Sequence, residues 1–259
     1  MAFVHQNDIM NLIETLYVEL TERFSDKKIQ ERPFPRLTYA DAMSRFGNDR
    51  PDLRFGMELQ DVSAAFAGTG FRAFAQTLED GGQIKAIVVP GCAGYTRREI
   101  DEVTELAKRA GAQGLATFAL APDGLKSPVA KFLTEDEIAA VTTGVGANPG
   151  DLVLVVADKP AVVAKTLSAL RDEFGRRLEL ADPNVLAYCW VYEFPLLEWK
   201  EEENRWDATH NPFCGFPESE RSLLAPSADP GRAMSYQYDL TLNGAEIGGV
   251  WDVDRGPWG

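Results

Sequence analysis

The first predicted element is an amphipathic helix over residues 8–24. Its apolar side chains recur at spacings of three and four, which is the pattern of one helix face that packs against another surface. These side chains are Ile9, Leu12, Ile13, Leu16, Leu20 and Phe24. Pro33 and Pro35 exclude a continuing helix, and Thr38 can cap a second, short helix that follows them.

A middle block, from about residue 60 to residue 182, has a different pattern. Three short apolar runs that are rich in β-forming residues predict buried strands. They are IKAIVV at 84–89, LATFAL at 115–120 and LVLVV at 152–156. Helical patterns lie between and after these runs. The block is therefore predicted to be an independent insert with an α/β or α+β architecture.

Two capping boxes indicate where helices begin inside this block. Thr96 with Glu99, and Thr134 with Glu137, each combine a hydroxyl with a carboxylate three residues later, ahead of apolar residues. A longer helix is predicted over residues 159–178. Its apolar face consists of Val163, Leu167, Leu170, Phe174 and Leu178.

The last part of the chain is predicted to be extended and antiparallel. The runs 184–197 and 235–250 are long and strand-like, and a loop that contains His210 joins them. In the second run apolar and polar residues alternate, which suits a sheet with one buried face. The apolar set is Tyr236, Tyr238, Leu240 and Leu242, and the polar set is Gln237, Asp239 and Thr241. Parts of two architectures therefore share one chain.

Composition and charge narrow the classes of function. No stretch approaches the ~20 consecutive apolar residues of a membrane span, and the N-terminus lacks a signal-peptide pattern, so a soluble cytoplasmic chain is expected. With 26 basic and 40 acidic residues the net charge is −14, which opposes a broad electrostatic grip on nucleic acid without excluding a local basic face. Cys92, Cys189 and Cys214 form no CxxC pair, which favours buried free thiols over a disulfide framework or a zinc site.

The common motifs of nucleotide-binding proteins and hydrolases are absent from the sequence. It has no GxxxxGK[ST], no GxGxxG after a strand and no GxSxG elbow. The only two histidines, His5 and His210, leave little room for a metal cluster. Most standard enzyme classes are therefore disfavoured.

Four other stretches occur in a specific order. They are RFGNDRPDLRFGMEL at 45–59, SPVAKFL at 127–133, WVYEFPLLEW followed by THNPF within 190–213, and YDLTLNGAEIGG at 238–249. In this order and at this spacing, the chain resembles bacterial-type aspartyl-tRNA synthetase, a class II synthetase, from just after its second signature motif onward. The resemblance covers nearly the whole chain, from Met1 to about Gly249. It argues against a stand-alone metabolic α/β enzyme.

The resemblance implies an α+β fold made of three segments. Residues 60–182 would be an inserted α/β domain, which the family shares with the glutamyl/aspartyl-tRNA amidotransferase. Residues 1–59 and 183–259 would be parts of the antiparallel catalytic sheet of a class II synthetase, the second of them truncated. This division agrees with the change in hydrophobic pattern along the chain.

The resemblance also implies a reaction and its ligands. The family activates aspartate with ATP to an aspartyl adenylate and passes the aspartyl group to the 3′ end of tRNA(Asp). Because a carboxylate must attack the α-phosphorus, the site needs fixed positive charge and Mg2+ to offset the repulsion between two anions. The family forms homodimers through a motif that has no match here, so exposed apolar surface is expected on the first helix.

Several site residues are implied by the match. His210 would contact the bound aspartate, although a loop histidine beside Asn-Pro can also simply cap a turn. Glu246 would hold magnesium on the ATP phosphates, or else be an outward-facing strand residue. Gly248 and Gly249 would allow the nucleotide or the backbone to approach closely, or would form a plain bulge.

The two arginines of the first stretch each have two possible roles. Arg50 and Arg54 would be contacts to the tRNA acceptor end, or else they form ion pairs with Asp49 and Asp52. Both possibilities stay open from sequence alone.

The departures from the family pattern limit the expected activity. Val253 stands where the family has the arginine that clamps the substrate carboxylate, and Arg255 comes two places later. The first motif, the arginines of the second and third motifs, and the anticodon-binding barrel also have no match. We therefore expect a partial synthetase that is inactive in isolation. The alternative is a non-catalytic module, derived from the synthetase, that binds tRNA or a partner.

Overall fold

The computed structural model describes residues 5–210, 214–225 and 228–251. The chain divides into two compact units. The first comprises Met1–Ala42, Asp49–Arg54 and Asp182–Gly259, and the second comprises Met43–Asn48 and Phe55–Ala181. Both units combine helices with mainly antiparallel strands, and two strand pairs of the first unit are parallel, which confirms the α+β class. Within the described ranges, no helix is long and apolar enough to cross a membrane.

The helices follow the sequence patterns closely. They are α1 (Gln6–Phe24), α2 (Tyr39–Phe46), α3 (Arg72–Glu79), α4 (Arg97–Ala110), α5 (Glu135–Ala140) and α6 (Pro160–Arg177).

The strands of the first unit form a four-stranded sheet and two small pairs, and those of the second form a five-stranded sheet. They are β1 (Lys28–Ile29), β2 (Arg36–Thr38), β3 (Gln60–Asp61), β4 (Gln83–Val89), β5 (Ala116–Ala121), β6 (Gly124–Lys126), β7 (Leu152–Asp158), β8 (Val185–Leu186), β9 (Tyr188–Tyr192), β10 (Leu197–Lys200), β11 (Arg205–Ala208), β12 (Gln237–Leu242) and β13 (Ala245–Trp251).

The second unit is built on the antiparallel sheet β3-β4-β7-β5-β6. Apolar clusters cover both of its faces. Side chains on both faces of the central strands are therefore apolar, which gives continuous apolar runs in the sequence. Leu154 on β7 belongs to the cluster with α4 and α6, while Val153 and Val155 belong to the cluster with α3. All three predicted strands of this block are thereby confirmed.

Both predicted capping boxes are present. Glu99 accepts a hydrogen bond from the backbone N–H of Thr96 at 2.7 Å, and Glu137 does the same for Thr134 at 2.7 Å. In return, each threonine hydroxyl accepts from the backbone N–H of its glutamate. These exchanges satisfy N–H groups that a helix start would otherwise leave unpaired.

One buried arginine contacts several separate parts of the second unit. Arg171 on α6 is fully buried, and its guanidinium donates to the carbonyls of Phe55 at 2.8 Å and Gly56 at 3.0 Å. The same group lies 4.2 Å from the ring centre of Phe55 and 5.0 Å from that of Phe46. Arg171 therefore joins two separate chain segments of this unit to its longest helix.

The first unit contains the sheet β13-β12-β9-β2, and α1 covers one face of it. Ile9 and Met10 of α1 are buried in a cluster with Trp190 on β9 and with Tyr238 and Leu240 on β12. The helix itself is confirmed, but the predicted buried face is wrong in part. Four of its members are exposed, namely Leu12, Leu16, Leu20 and Phe24. The expected exposed apolar surface on this helix is therefore found.

The last sequence run differs from its prediction in two ways. It is not one strand but the hairpin β12–β13, which turns at Asn243 and Gly244 with φ values of 52° and 84°. Two positive φ values are what a two-residue hairpin turn requires. The second difference is that the polar face is buried too: Gln237, Asp239 and Thr241 are 8%, 5% and 0% exposed. β12 is also a central strand, paired with β9 on one side and β13 on the other.

Candidate functional site

The candidate site lies on the polar side of β12, on the sheet face opposite α1. Asp239 on β12 is paired with Gly249 on β13. A register shift between Leu240 and Thr241 inserts an extra residue in β13, so that Thr241 is paired with Glu246. A Cβ built on Gly249 would lie 2.7 Å from Asp239 Oδ1 and 3.2 Å from Glu246 Oε1. Two carboxylates therefore flank one glycine.

The electrostatics of Asp239 are unusual. Burial raises the pKa of Asp239 to about 7, and the negative charges of Glu246 and Asp49 add to that rise. The side-chain amide of Gln237 lies 3.3 Å from both carboxylate oxygens and opposes it, because a donated hydrogen bond favours the charged form. Near neutral pH this carboxyl group can exchange a proton for a metal ion.

The carboxylate pair has the right chemistry for magnesium. Mg2+ is commonly held by one or two carboxylates, with substrate phosphates and water filling the other positions. Within the described part of the chain, no three His, Cys, Asp or Glu side chains converge as a metal site.

His210 occupies a separate, exposed position just after β11. Its ring meets the ring of Phe194 edge to face, with centroids 5.0 Å apart and planes at 89°. The backbone N–H of the preceding residue, Thr209, donates to the carbonyl of Leu196 at 3.2 Å. Asn211 and Pro212, which follow it in the sequence, lie outside the described residues.

Comparisons with known proteins show which sequences this chain is similar to. Residues 74–167 match the family described as the GAD domain. The aspartate–tRNA(Asp/Asn) ligase of Moorella thermoacetica is 47% identical over 249 residues, which are 96% of this chain and 41% of that protein. Nearly the whole chain is similar in sequence to part of an aspartate–tRNA ligase. The resemblance inferred from the four ordered stretches is confirmed.

Other ligases give the same result. The aspartate–tRNA(Asp/Asn) ligase of Bacillus cytotoxicus is 46% identical over 249 residues, covering 96% of this chain and 42% of the relative. The aspartate–tRNA ligase of Geobacillus kaustophilus is 44% identical over 250 residues, with the same coverage. The chain thus spans about two fifths of the length of the ligases that it matches.

The remaining residues singled out from sequence fall into different surroundings. Arg54 is paired with Asp52 through two nitrogens, at 3.0 and 2.6 Å, and both side chains are largely buried. Arg50 is exposed. Gly248 has open space where a side chain would be, within the described residues, whereas Gly249 does not. Val253 and Arg255 lie outside the described residues.

Two titratable groups with raised pKa values, Asp239 and Tyr39, are not predicted from the sequence. The alternating pattern places Asp239 on a polar face, and alternation alone does not reveal that this face is buried. Tyr39 carried no local signal. Burial raises the pKa of its phenol, and the charges of Asp49 and Glu198 raise it further. The acidic group seven residues before Glu246 was the one visible hint of a carboxylate pair.

Proposed function

We propose that this chain forms part of the aspartate-activating site of an aspartate–tRNA ligase. The reaction would join aspartate to ATP as an aspartyl adenylate and then transfer the aspartyl group to tRNA(Asp). The observation that carries the proposal is the pair of carboxylates, Asp239 and Glu246, on either side of Gly249. Sequence similarity to aspartate–tRNA ligases along 96% of the chain supports it.

In this proposal the carboxylate pair holds the magnesium that accompanies ATP. Bound Mg2+ would supply charge compensation for the phosphates. Glu246, which is exposed, would reach the metal first, and Asp239 would bind once it loses its proton. Gly249 keeps the space between the two carboxylates clear, and Gly248 leaves room beside them for the nucleotide.

His210 would serve the other substrate. An imidazole N–H can donate a hydrogen bond to the side-chain carboxylate of aspartate, and an exposed ring is accessible to it. Such a contact positions the amino acid and need not take part in bond making.

The architecture would then be that of a class II synthetase. Residues 1–59 and 183–259 would contribute to its antiparallel catalytic sheet, and residues 60–182 would be the inserted domain. The exposed Arg50 is the better candidate for a contact with the tRNA acceptor end, because the side chain of Arg54 is only 17% exposed. A role in protein synthesis would place the chain in the cytoplasm. The full-length ligase would form a homodimer, as expected from the family resemblance.

The test is ATP binding by the 259-residue chain with and without Mg2+, measured by titration calorimetry. Glu246→Gln should remove the Mg2+-dependent part of the binding, and aspartate-dependent ATP–pyrophosphate exchange should fall with it. Glu202→Gln, an exposed glutamate in the β10–β11 turn, is the matched control. ATP binding that ignores both Mg2+ and the Glu246 substitution would refute the proposal.

A further inference from the structure

Phe194 lies at the centre of three aromatic rings in the first unit. It is fully buried, just after β9. On one side its ring contacts His210 edge to face at 5.0 Å, and on another it contacts Tyr39 at 5.1 Å with the planes tilted by 45°. The exposed imidazole therefore rests against a buried ring that has its own support.

The backbone around Phe194 is held firmly. Its carbonyl accepts from the N–H of Ser235 at 2.7 Å and from the Ser235 hydroxyl at 3.1 Å. Glu193, just before it, has a φ of 58°, and Pro195, just after it, bridges to Met234. The backbone fixes the position of Phe194, and full burial against Tyr39 restricts rotation of its ring, so Phe194 can act as a fixed surface.

The chain that carries His210 is tied to the same place. The N–H of Thr209 donates to the carbonyl of Leu196, two residues after Phe194. This bond brings His210 alongside Phe194, and the aromatic contact then restricts the imidazole. An edge-to-face pair is worth about 0.5–1.5 kcal/mol beyond simple burial, enough to favour one ring orientation.

Tyr39 supports Phe194 from the start of α2. Its phenol stays protonated, because burial and then the charges of Asp49 and Glu198 raise its pKa. A neutral ring can remain packed on Phe194 at any working pH. The contact with Phe194 therefore depends on the ring of Tyr39 and not on its ionisation.

We propose that Phe194, backed by Tyr39, is a positioning residue that orients the His210 imidazole toward the carboxylate of bound aspartate. This inference rests on the proposed function, since it gives the oriented imidazole an aspartate to bind. A fixed donor loses less freedom on binding than a rotating one, so the orientation contributes to affinity.

The chain offers a clean measurement, because His5 and His210 are its only histidines. Imidazole signals of both can be followed by NMR during a titration with aspartate. Phe194→Leu keeps an apolar side chain but removes the ring. We expect it to shift the His210 signals of the free chain, through loss of the ring current, and to weaken aspartate binding about 3- to 10-fold.

Three further variants separate orientation from general damage. Tyr39→Leu should weaken aspartate binding and shift the His210 signals less than Phe194→Leu does. Tyr39→Phe, which keeps the ring, should behave as the wild type. Phe24→Leu makes the same chemical change at an exposed position and should do nothing. Mg2+-dependent ATP binding should be unchanged in Phe194→Leu, because a merely structural defect would weaken both ligands. If Phe194→Leu does not fold, Tyr39→Leu carries the test.

The possible outcomes are distinct. If His210 of the wild-type chain does not respond to aspartate, the proposed aspartate contact fails and this inference falls with it. If the wild-type chain responds while Phe194→Leu and Tyr39→Leu bind aspartate equally well, only the positioning role is refuted. Equal losses of aspartate and ATP binding would also refute it.

Discussion

Asp239 and Gly249 face each other across β12 and β13, and a Cβ on Gly249 would come within 2.7 Å of Asp239 Oδ1. Real Cβ atoms essentially never approach another heavy atom closer than 3.0 Å. The adjacent Gly248 is different, since a Cβ there would meet none of the described atoms within 4 Å. Of the two consecutive glycines, only the second is required by the carboxylates.

Gly249→Ala should therefore disturb the carboxylate pair. The added methyl group must displace Asp239 or Glu246, and metal ligands that lose their orientation bind about tenfold more weakly or worse. Titration with MgCl2 in the presence of ATP would measure this loss. Gly248→Ala is the matched control and should bind as the wild type does. Equal affinities in the two variants would contradict the assignment of Gly249.

The raised pKa of Asp239 predicts how stability depends on pH. The folded chain keeps a proton on Asp239 up to pH about 7, whereas an unfolded aspartate loses it near pH about 4. The folded state thus binds more protons between these values, so the free energy of unfolding should fall as pH rises from about 4 to about 7 and then level off.

Asp239→Asn removes this group from titration. At pH 8 without Mg2+ the variant should be more stable than the wild type, by roughly 1–2 kcal/mol after allowance for solvent screening. Near pH 4 the difference should nearly vanish. Urea unfolding at both pH values would measure it, with Asp101→Asn on the exposed side of α4 as control. The prediction would be wrong if the free energy of unfolding of the wild type, compared with that of Asp239→Asn, increased from pH 5 to pH 8.

The helices and strands of the second unit that the sequence predicts carry local signals. Thr96 and Glu99 mark a helix start from their spacing alone. The run at 152–156 is short, wholly apolar and rich in valine, which is the pattern of a strand that is buried on both faces. Neither signal depends on which element lies beside it.

Most predictions that failed in the first unit depend on which elements pack against each other. Leu16 and Ile13 both fit a helical spacing, and only the position of the sheet selects the stripe that contains Ile13. The Asn243–Gly244 turn is an exception, because Asn-Gly is a strong local hairpin signal that predicts this turn without knowledge of neighbouring elements. In contrast, the proton affinity of Asp239 depends on Glu246 and Asp49, which the fold brings close from other segments.

Arg171 offers a test of the second unit. Arg171→Lys keeps the charge but loses the planar group that reaches two carbonyls and stacks on Phe46 and Phe55. We expect a loss of about 2–3 kcal/mol in the free energy of unfolding, since a buried cation would be left with fewer partners. Arg176→Lys, on the same helix but 72% exposed, should change it by less than about 0.5 kcal/mol. Similar urea midpoints for both variants would contradict this role.

Cys189 and Cys214 should react with a thiol reagent at different rates because they differ in burial. Cys189, on the same face of the first unit's sheet as Thr241, is fully buried, whereas Cys214 is 7% exposed. Burial, aided by the charge of Asp52, raises the pKa of the Cys189 thiol to about 12. Because only the thiolate is nucleophilic, and since about one thiol in 10⁴ would be ionised at pH 8, native Cys189 should be labelled by N-ethylmaleimide far more slowly than Cys214.

Mass spectrometry of peptides from time points quenched with acid would give each rate separately. In 6 M guanidinium the rates of all three cysteines should become similar, because unfolding removes both burial and the nearby charge. That denatured sample is the internal control for differences in local sequence. Native Cys189 that is modified as fast as Cys214 would mean that the sheet face beside Asp239 opens readily. The burial to which we attribute the raised pKa of Asp239 would then not hold in solution.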